Sequence, residues 1–278
     1  MQLKDCGLIV LGGGMMGTAL VKGLLASNIL SHDKMVLVEK DSQRLDALRK
    51  ERELEGLAMF SRLETSPSLD ILVLAVKPHD VVASLKACLN LLSPNTLVIS
   101  LAAGVTLATL AASLPLGQPI MRVMPNTGSL ARQGISALTP GSSTSPEQLK
   151  LAQELFASVG ATVVVPEKHM DAVTALSASG MAYMFLIMES MINAGVAQGL
   201  DRVTASTLVA NTMKGACHLF LESGDHPAVL KDMVASPGGT TINGLTVLEK
   251  SGIRGILMEA VAAAARRSQE LSLPGNGR

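Results

Sequence analysis

Leu8-Ile9-Val10-Leu11-Gly12-Gly13-Gly14-Met15-Met16-Gly17 is the stretch that decides the fold. Four apolar residues run without a break into three glycines, and a fourth glycine follows at position 17. A short continuous apolar run reads as a strand buried on both faces, and Gly17–Asn28 behind it has helical spacing. Glycines at 12, 14 and 17 satisfy G-x-G-x-x-G between that strand and that helix. Each has a physical task in a dinucleotide site. Gly12 permits the tight turn, Gly14 lets backbone approach a pyrophosphate, and Gly17 lets helix pack closely on strand. The N–H groups of the first helical turn, Met15 and Met16 among them, then face the phosphates.

Outward from this turn, apolar runs and helical stretches alternate. Met35–Val38, Ile71–Val76, Thr96–Leu101, Ile120–Met124 and Thr162–Val165 read as strands. Gln43–Glu53, Thr106–Leu114 and Gln148–Val159 read as helices. This alternation predicts an α/β fold with a Rossmann-type, doubly wound parallel sheet over residues 1–166. The second strand ends in Glu39, where a carboxylate accepts hydrogen bonds from the adenosine ribose and repels a 2′-phosphate. Lys40 follows directly and Arg44 is close, and either cation suits a phosphate. The cofactor is therefore expected to be NADH or NADPH, with the choice open.

Residues 167–278 are expected to form an all-α domain, its boundary near Pro166. Met170–Leu200 holds only two charges, Asp171 and Glu189, and Thr204–Leu221 holds only Lys214. Helices apolar on every side must be buried on every side. About a hundred residues do not enclose several such helices unaided, so a second copy is expected to intertwine with the first. The last residues, Pro274 to Arg278, read as a frayed tail.

Composition excludes several partners. Lys plus Arg and Asp plus Glu number 23 each, so no global field draws nucleic acid or an acidic membrane. With no Trp, one Tyr and four Phe, there are few platforms for base stacking. Cys6, Cys88 and Cys217 make no CxxC pair and read as reduced, mostly buried thiols. The five histidines have no metal-ligand spacing. The uncharged stretch from Ala87 to Met121 is broken by Ser93-Pro94-Asn95 and Pro115-Leu116-Gly117, against a membrane span. The N-terminal apolar run, cut by glycines after Asp5, is unlike a signal peptide, and a cytoplasmic protein is expected.

Chemistry is concentrated in Ser236-Pro237-Gly238-Gly239-Thr240-Thr241, ahead of a helical stretch to about Lys250. Ser at an N-cap and Pro at the first helical position would explain Ser236 and Pro237 alone. Two glycines and two threonines add bare N–H groups and hydroxyls, a compact site for a small carboxylate.

That segment, continuing through Ile242-Asn243-Gly244-Leu245 to Arg254, Ala260 and Glu270, closely resembles the C-terminal signature of pyrroline-5-carboxylate reductases. Leu74-Ala75-Val76-Lys77-Pro78, Ser100-Leu101-Ala102-Ala103-Gly104, Arg122-Val123-Met124-Pro125-Asn126-Thr127 and Asp171 to Ser177 resemble further family blocks. The resemblance spans nearly the whole chain. It implies hydride transfer from NAD(P)H to the C=N bond of 1-pyrroline-5-carboxylate, giving L-proline. It implies that Ala75, Val76, Lys77, Pro78, Leu101, Ala102 and Ala103 join Gly12, Gly14, Met15, Met16, Gly17, Glu39 and Lys40 at the cofactor. It implies substrate at Ser236, Gly238, Gly239, Thr240 and Thr241; Thr241 is expected to hydrogen-bond the ring nitrogen and relay a proton, or to help hold an iminium already formed in solution. Lys77 is expected to position the cofactor, with a direct catalytic role as the alternative. Dimers, or rings of dimers, are implied as well. The chain departs from the family pattern at Ala178, Met181, Met233 and near Arg62. Rival readings are a reductase of another cyclic imine, a hydroxyacid-type dehydrogenase, and a non-catalytic dinucleotide-binding redox sensor.

Overall fold

The computed structural model describes residues 2–62 and 69–272, so the expected tail from Pro274 lies outside the described residues. Eight strands form one sheet: β1 (Leu8–Leu11), β2 (Met35–Val38), β3 (Ala58–Phe60), β4 (Ile71–Leu74), β5 (Leu97–Ser100), β6 (Ile120–Pro125), β7 (Gly134–Pro140) and β8 (Gly160–Val164). Their order is β3-β2-β1-β4-β5-β6-β7-β8. All neighbours are parallel except β6 and β7, which run antiparallel. The expected sheet was parallel throughout. The β7 strand was not read because Ser136 and Thr139 interrupt its apolar pattern, although both side chains are buried.

Strand period two divides the core into two layers. Leu8, Val10, Ile71, Val73, Leu97 and Ile99 pack on one face. Ile9, Leu11, Leu72, Leu74 and Val98 pack on the other. This is why β1, β4 and β5 are apolar at nearly every position rather than alternating.

Around the sheet lie α1 (Met15–Ala26), α2 (Ser42–Leu48), α3 (Val81–Cys88), α4 (Leu107–Ala111) and α5 (Pro146–Ala157). Asp41 caps α2 by accepting from Arg44 N at 2.9 Å, and Ser145 and Gln148 form a reciprocal capping box on α5. The charge-free Ala87–Met121 stretch thus resolves into the end of α3, β5, α4 and the start of β6.

The remaining helices are α6 (Met170–Val173), α7 (Gly180–Ala197), α8 (Arg202–Ser223), α9 (Pro227–Met233), α10 (Thr240–Lys250) and α11 (Ile253–Ser272). A π turn over Thr174–Ala178 follows α6. Glu167–Ala197 is long and apolar enough, by length and composition, to cross a membrane. The chain divides into two compact units: residues 1–179 with 264–278, and residues 180–263. In the second unit α7 packs on α8, and Gly195 sets its backbone against Ala205, where an added Cβ would lie 3.2 Å from the alanine methyl. Asp201 caps α8 through Thr204 N at 3.0 Å, and Gly224 ends it at φ +69°. Cys6 and Cys88 are buried, but Cys217 is exposed on α8, against the expectation for that thiol.

Candidate active site

The strand order reverses at β1, where β2 lies on one side and β4 on the other. Ligands of open α/β sheets bind beyond the carboxyl ends of the strands at such a point. A cleft of about 950 Å³ opens there. It gathers Gly12, Gly14, Met15, Glu39, Lys40, Ala75, Val76 and Lys77 from the expected residues. Met16, Gly17, Pro78, Leu101, Ala102 and Ala103 do not line it.

The glycine turn has the shape of a phosphate cradle. Gly12 sits at φ +104°, and a Cβ there would meet the Ala75 carbonyl oxygen at 2.6 Å. A Cβ on Gly17 would overlap the Gly12 carbonyl oxygen at 2.0 Å, so helix and turn touch backbone to backbone. At Gly14, by contrast, an added Cβ would meet nothing within 4 Å. Gly14 is also the N-cap of α1, with no side-chain cap, so open space faces uncapped N–H groups. These residues fit a dinucleotide pyrophosphate.

Against the glycine turn, the Glu39 carboxylate is braced by main chain. It accepts from Gly13 N and from Asp41 N, each at 2.9 Å. Arg44 Nε donates to the Gly13 carbonyl oxygen. Lys40 Nζ stands 2.9 Å from Asp80 Oδ2, and that hydrogen bond holds the Asp80 carboxyl below its usual range. Sequence reasoning missed Asp80, along with Asp41 and the α3 residues Ser84, Ala87 and Cys88 that line the same cleft, while Arg62, noted as a departure from the family pattern, lines it too. The available signal was the acid three residues after Lys77 and the i, i+4 spacing of Val81 and Leu85 behind it.

The 100–107 loop is fixed from behind. Ser100 Oγ accepts from Ala102 N at 3.3 Å, and Glu167 Oε1 accepts from Leu107 N at 2.7 Å. Arg122, almost fully buried, lies 3.4 Å from the same Glu167 oxygen. Asn126 Oδ1 accepts from Gly128 N and Ile135 N, and its Nδ2 donates to Ser177 Oγ in the π turn.

In the second unit, Ser236 to Thr241 forms a turn that runs into α10. Gly239, not Ser236, is the N-cap of that helix. The expectation of Ser236 as cap and Pro237 as first helical residue is corrected, because Gly238 takes φ +66°, outside helical geometry. Ser236 instead closes a turn, its carbonyl accepting from Gly239 N at 3.1 Å. No side chain caps α10, so its first N–H groups remain open. Asn243 Nδ2 reaches back to the Gly239 carbonyl oxygen at 2.9 Å, an interaction unread in the sequence.

Comparison with known proteins matches these features to one family. Residues 167–271 match the model described as pyrroline-5-carboxylate reductase dimerisation. Residues 7–104 match the model described as NADP oxidoreductase, coenzyme F420-dependent. A pyrroline-5-carboxylate reductase of Methanosarcina acetivorans is 41% identical over 98% of this chain and 99% of its own. The chain belongs to the pyrroline-5-carboxylate reductase family. The Escherichia coli reductase is 35% identical over 97% of this chain and 98% of its own. Among solved structures, the Plasmodium falciparum pyrroline carboxylate reductase with NADP bound aligns with a TM-score of 0.85. It is 32% identical, over 97% of this chain and 99% of its own. The Coxiella burnetii reductase aligns at 0.86 with 33% identity, over 96% of this chain and 99% of its own. Members of this family are oxidoreductases, and the α6–α11 region is a dimerisation domain.

Proposed function

We propose that this chain reduces 1-pyrroline-5-carboxylate to L-proline, with NADPH or NADH as hydride donor, in the last step of proline biosynthesis. The observation that carries the reading is the open start of α10: a glycine turn at Gly238 and Gly239, no side-chain cap, and hydroxyls at Thr240 and Thr241. Such a turn suits a small carboxylate.

When bound, reduced nicotinamide would supply a hydride to the ring carbon of the C=N bond. The ring nitrogen must then hold a proton. Thr241 is assigned to hydrogen-bond that nitrogen and relay to it a proton from solvent, or to hold the iminium protonated before binding. The N–H groups of the Gly238–Thr241 turn hold the carboxylate, with Ser236 shaping the turn. Gly12, Gly14, Met15, Met16 and Gly17 hold the pyrophosphate, Glu39 and Lys40 the adenosine side. Lys77 orients the nicotinamide half, flanked by Ala75, Val76 and Pro78, with Leu101, Ala102 and Ala103 on the next loop. No histidine or cysteine is needed as acid. The acceleration comes mainly from orientation and exclusion of water. Residues 167–278 serve as the dimerisation and substrate-binding part, and the protein works as a dimer or a ring of dimers in the cytoplasm.

Met233 favours one second reading. It is exposed, three residues ahead of Ser236, where the family pattern has Asn. That substitution suits a cyclic imine of different shape.

The test is oxidation of NADH and NADPH by the purified protein with pyrroline-5-carboxylate as acceptor, with proline measured as product. Proline-forming oxidation supports the first reading. Turnover only on another imine moves the assignment to that substrate. Tight cofactor binding without turnover on any imine points to a redox sensor.

A further inference from the structure

The adenosine end of the cleft carries as many anions as cations. Glu39, Asp41 and Asp80 line it with Lys40, Arg44 and Arg62. What differs is how each is engaged. Glu39 is fixed by two main-chain N–H groups and cannot swing aside without losing both bonds. Arg44 Nε donates to the Gly13 carbonyl, while its main-chain N–H, not its guanidinium, is what Asp41 accepts at the start of α2. Lys40 is the first cation after β2, the position from which a ribose phosphate is gripped. Its ammonium is already paired with Asp80, at 2.9 Å.

Asp80 comes from the turn after β4, and Lys40 from the turn after β2. Those two strands flank β1, so the ion pair spans the strand that carries the glycine turn. A ligand phosphate at the ribose would compete with Asp80 for Lys40, while the Glu39 charge stayed in place. An unphosphorylated ribose meets no such competition, because its hydroxyls donate to Glu39, whose oxygens keep spare lone pairs.

We propose that Asp80 is a specificity-determining residue of the dinucleotide cleft, occupying Lys40 and so tilting cofactor choice away from a 2′-phosphate. The inference rests on the dinucleotide reading of the cleft and deepens it. Its size is bounded by exposure. The Lys40 side chain is 76% exposed and that of Asp80 27%, so solvent screens the pair and holds its effect small. The bias from Asp80 is therefore modest, about fivefold at most.

The experiment is titration of the full-length protein and of Asp80→Asn with NADH and with NADPH, read by nicotinamide fluorescence. The absence of Trp leaves that signal free of indole transfer. The quantity compared is the ratio Kd(NADH)/Kd(NADPH). Arg62 acts alike in both proteins and cancels from the comparison. In Asp80→Asn the ratio rises by about two- to fivefold at low salt. The rise shrinks in high salt, as screening requires. Lys40→Ala in the Asp80→Asn background removes it. An unchanged ratio in Asp80→Asn, with tight binding by the parent protein, overturns the role of Asp80 and leaves the dinucleotide reading standing. A rise that persists without Lys40 also overturns it. If the parent protein binds neither dinucleotide, the reading of the cleft falls and this inference falls with it.

Discussion

In the sheet unit, Val10, Leu37, Ile71 and Val98 are fully buried, and Phe156 is 1% exposed. In the helical unit, Phe185 is 57% exposed, Leu221 77% and Met258 73%. The two units are built from residues of similar hydrophobicity and differ in what covers them. The central strands β1, β4 and β5 are covered on both faces by helical layers, whereas Val163 and Val164 of the edge strand β8 stay exposed. The helices α7, α8, α10 and the first part of α11 have no such layer from their own unit. An apolar surface of that extent marks an interaction site. The match of residues 167–271 to a dimerisation family names its occupant as a second copy. One unit thus buries its central strands by itself, while the other is half of a core.

The contrast is broken most severely at the glycine turn. Gly17→Val puts a branched side chain where a bare Cβ already overlaps backbone at 2.0 Å. Neither the Gly12 carbonyl nor α1 can yield, so dinucleotide binding falls below detection and stability drops by about 2 kcal/mol or more. Fluorescence titration and urea denaturation measure the two losses.

Core and surface truncations sharpen the comparison directly. Phe156→Ala costs about 3–5 kcal/mol in urea. Phe185→Asp with Leu221→Asp acts through association instead. The expected outcome is a dissociated protein in sedimentation, with turnover lost and dinucleotide binding retained. A variant that remained a dimer would show that these faces are not the interface. Thr241→Ala is the next smaller effect: kcat falls about ten- to a hundredfold, the worth of one hydrogen bond to a charged group. Dinucleotide affinity is left to the other unit, and a matching loss there would remove Thr241 from proton transfer.

How far these regions were legible in the sequence follows the same division. Leu8–Leu11 and Met35–Val38 were read to the residue, because strands buried on both faces are continuous and end sharply at glycine or charge. The β7 strand escaped because Ser136 and Thr139 are buried polar residues, satisfied by structure that composition does not reveal. Thr139 Oγ1, for instance, donates to the Val165 carbonyl 26 residues away. The π turn at Thr174–Ala178 escaped because π and α turns share their residue preferences. At the cofactor cleft, residues contiguous with a strand end were found. Asp80 was not, because its meaning depends on Lys40, 40 residues earlier and adjacent only in space. The Ser236–Thr241 segment was found by its composition, yet its N-cap was misplaced by three residues. Ser and Pro are strong helix-start signals, and only the φ of Gly238 shows that the chain turns first.

The smallest expected effect tests whether the enclosed unit is as dry as its packing implies. Cys6 is fully buried, and burial, followed by the nearby Asp70 charge, pushes its thiol from 9.0 up to about 11. The native state therefore keeps its proton where the unfolded chain has lost it. Between pH 9.0 and about 11 the unfolded state binds fewer protons, so stability falls as pH rises. Below pH 9.0 both states hold the proton and Cys6 adds no slope. The full loss is about 2 kcal/mol by pH 11. Urea midpoints across that range, compared with Cys6→Ala, isolate the contribution, because alanine cannot ionise. Other groups titrate in the same window but are common to both proteins. A difference in slope of the expected sign means that the thiol sits in a medium from which water is excluded. Parallel curves would mean that water reaches Cys6 just ahead of β1, and that the sheet unit is less closed there than the contrast with the helical unit requires.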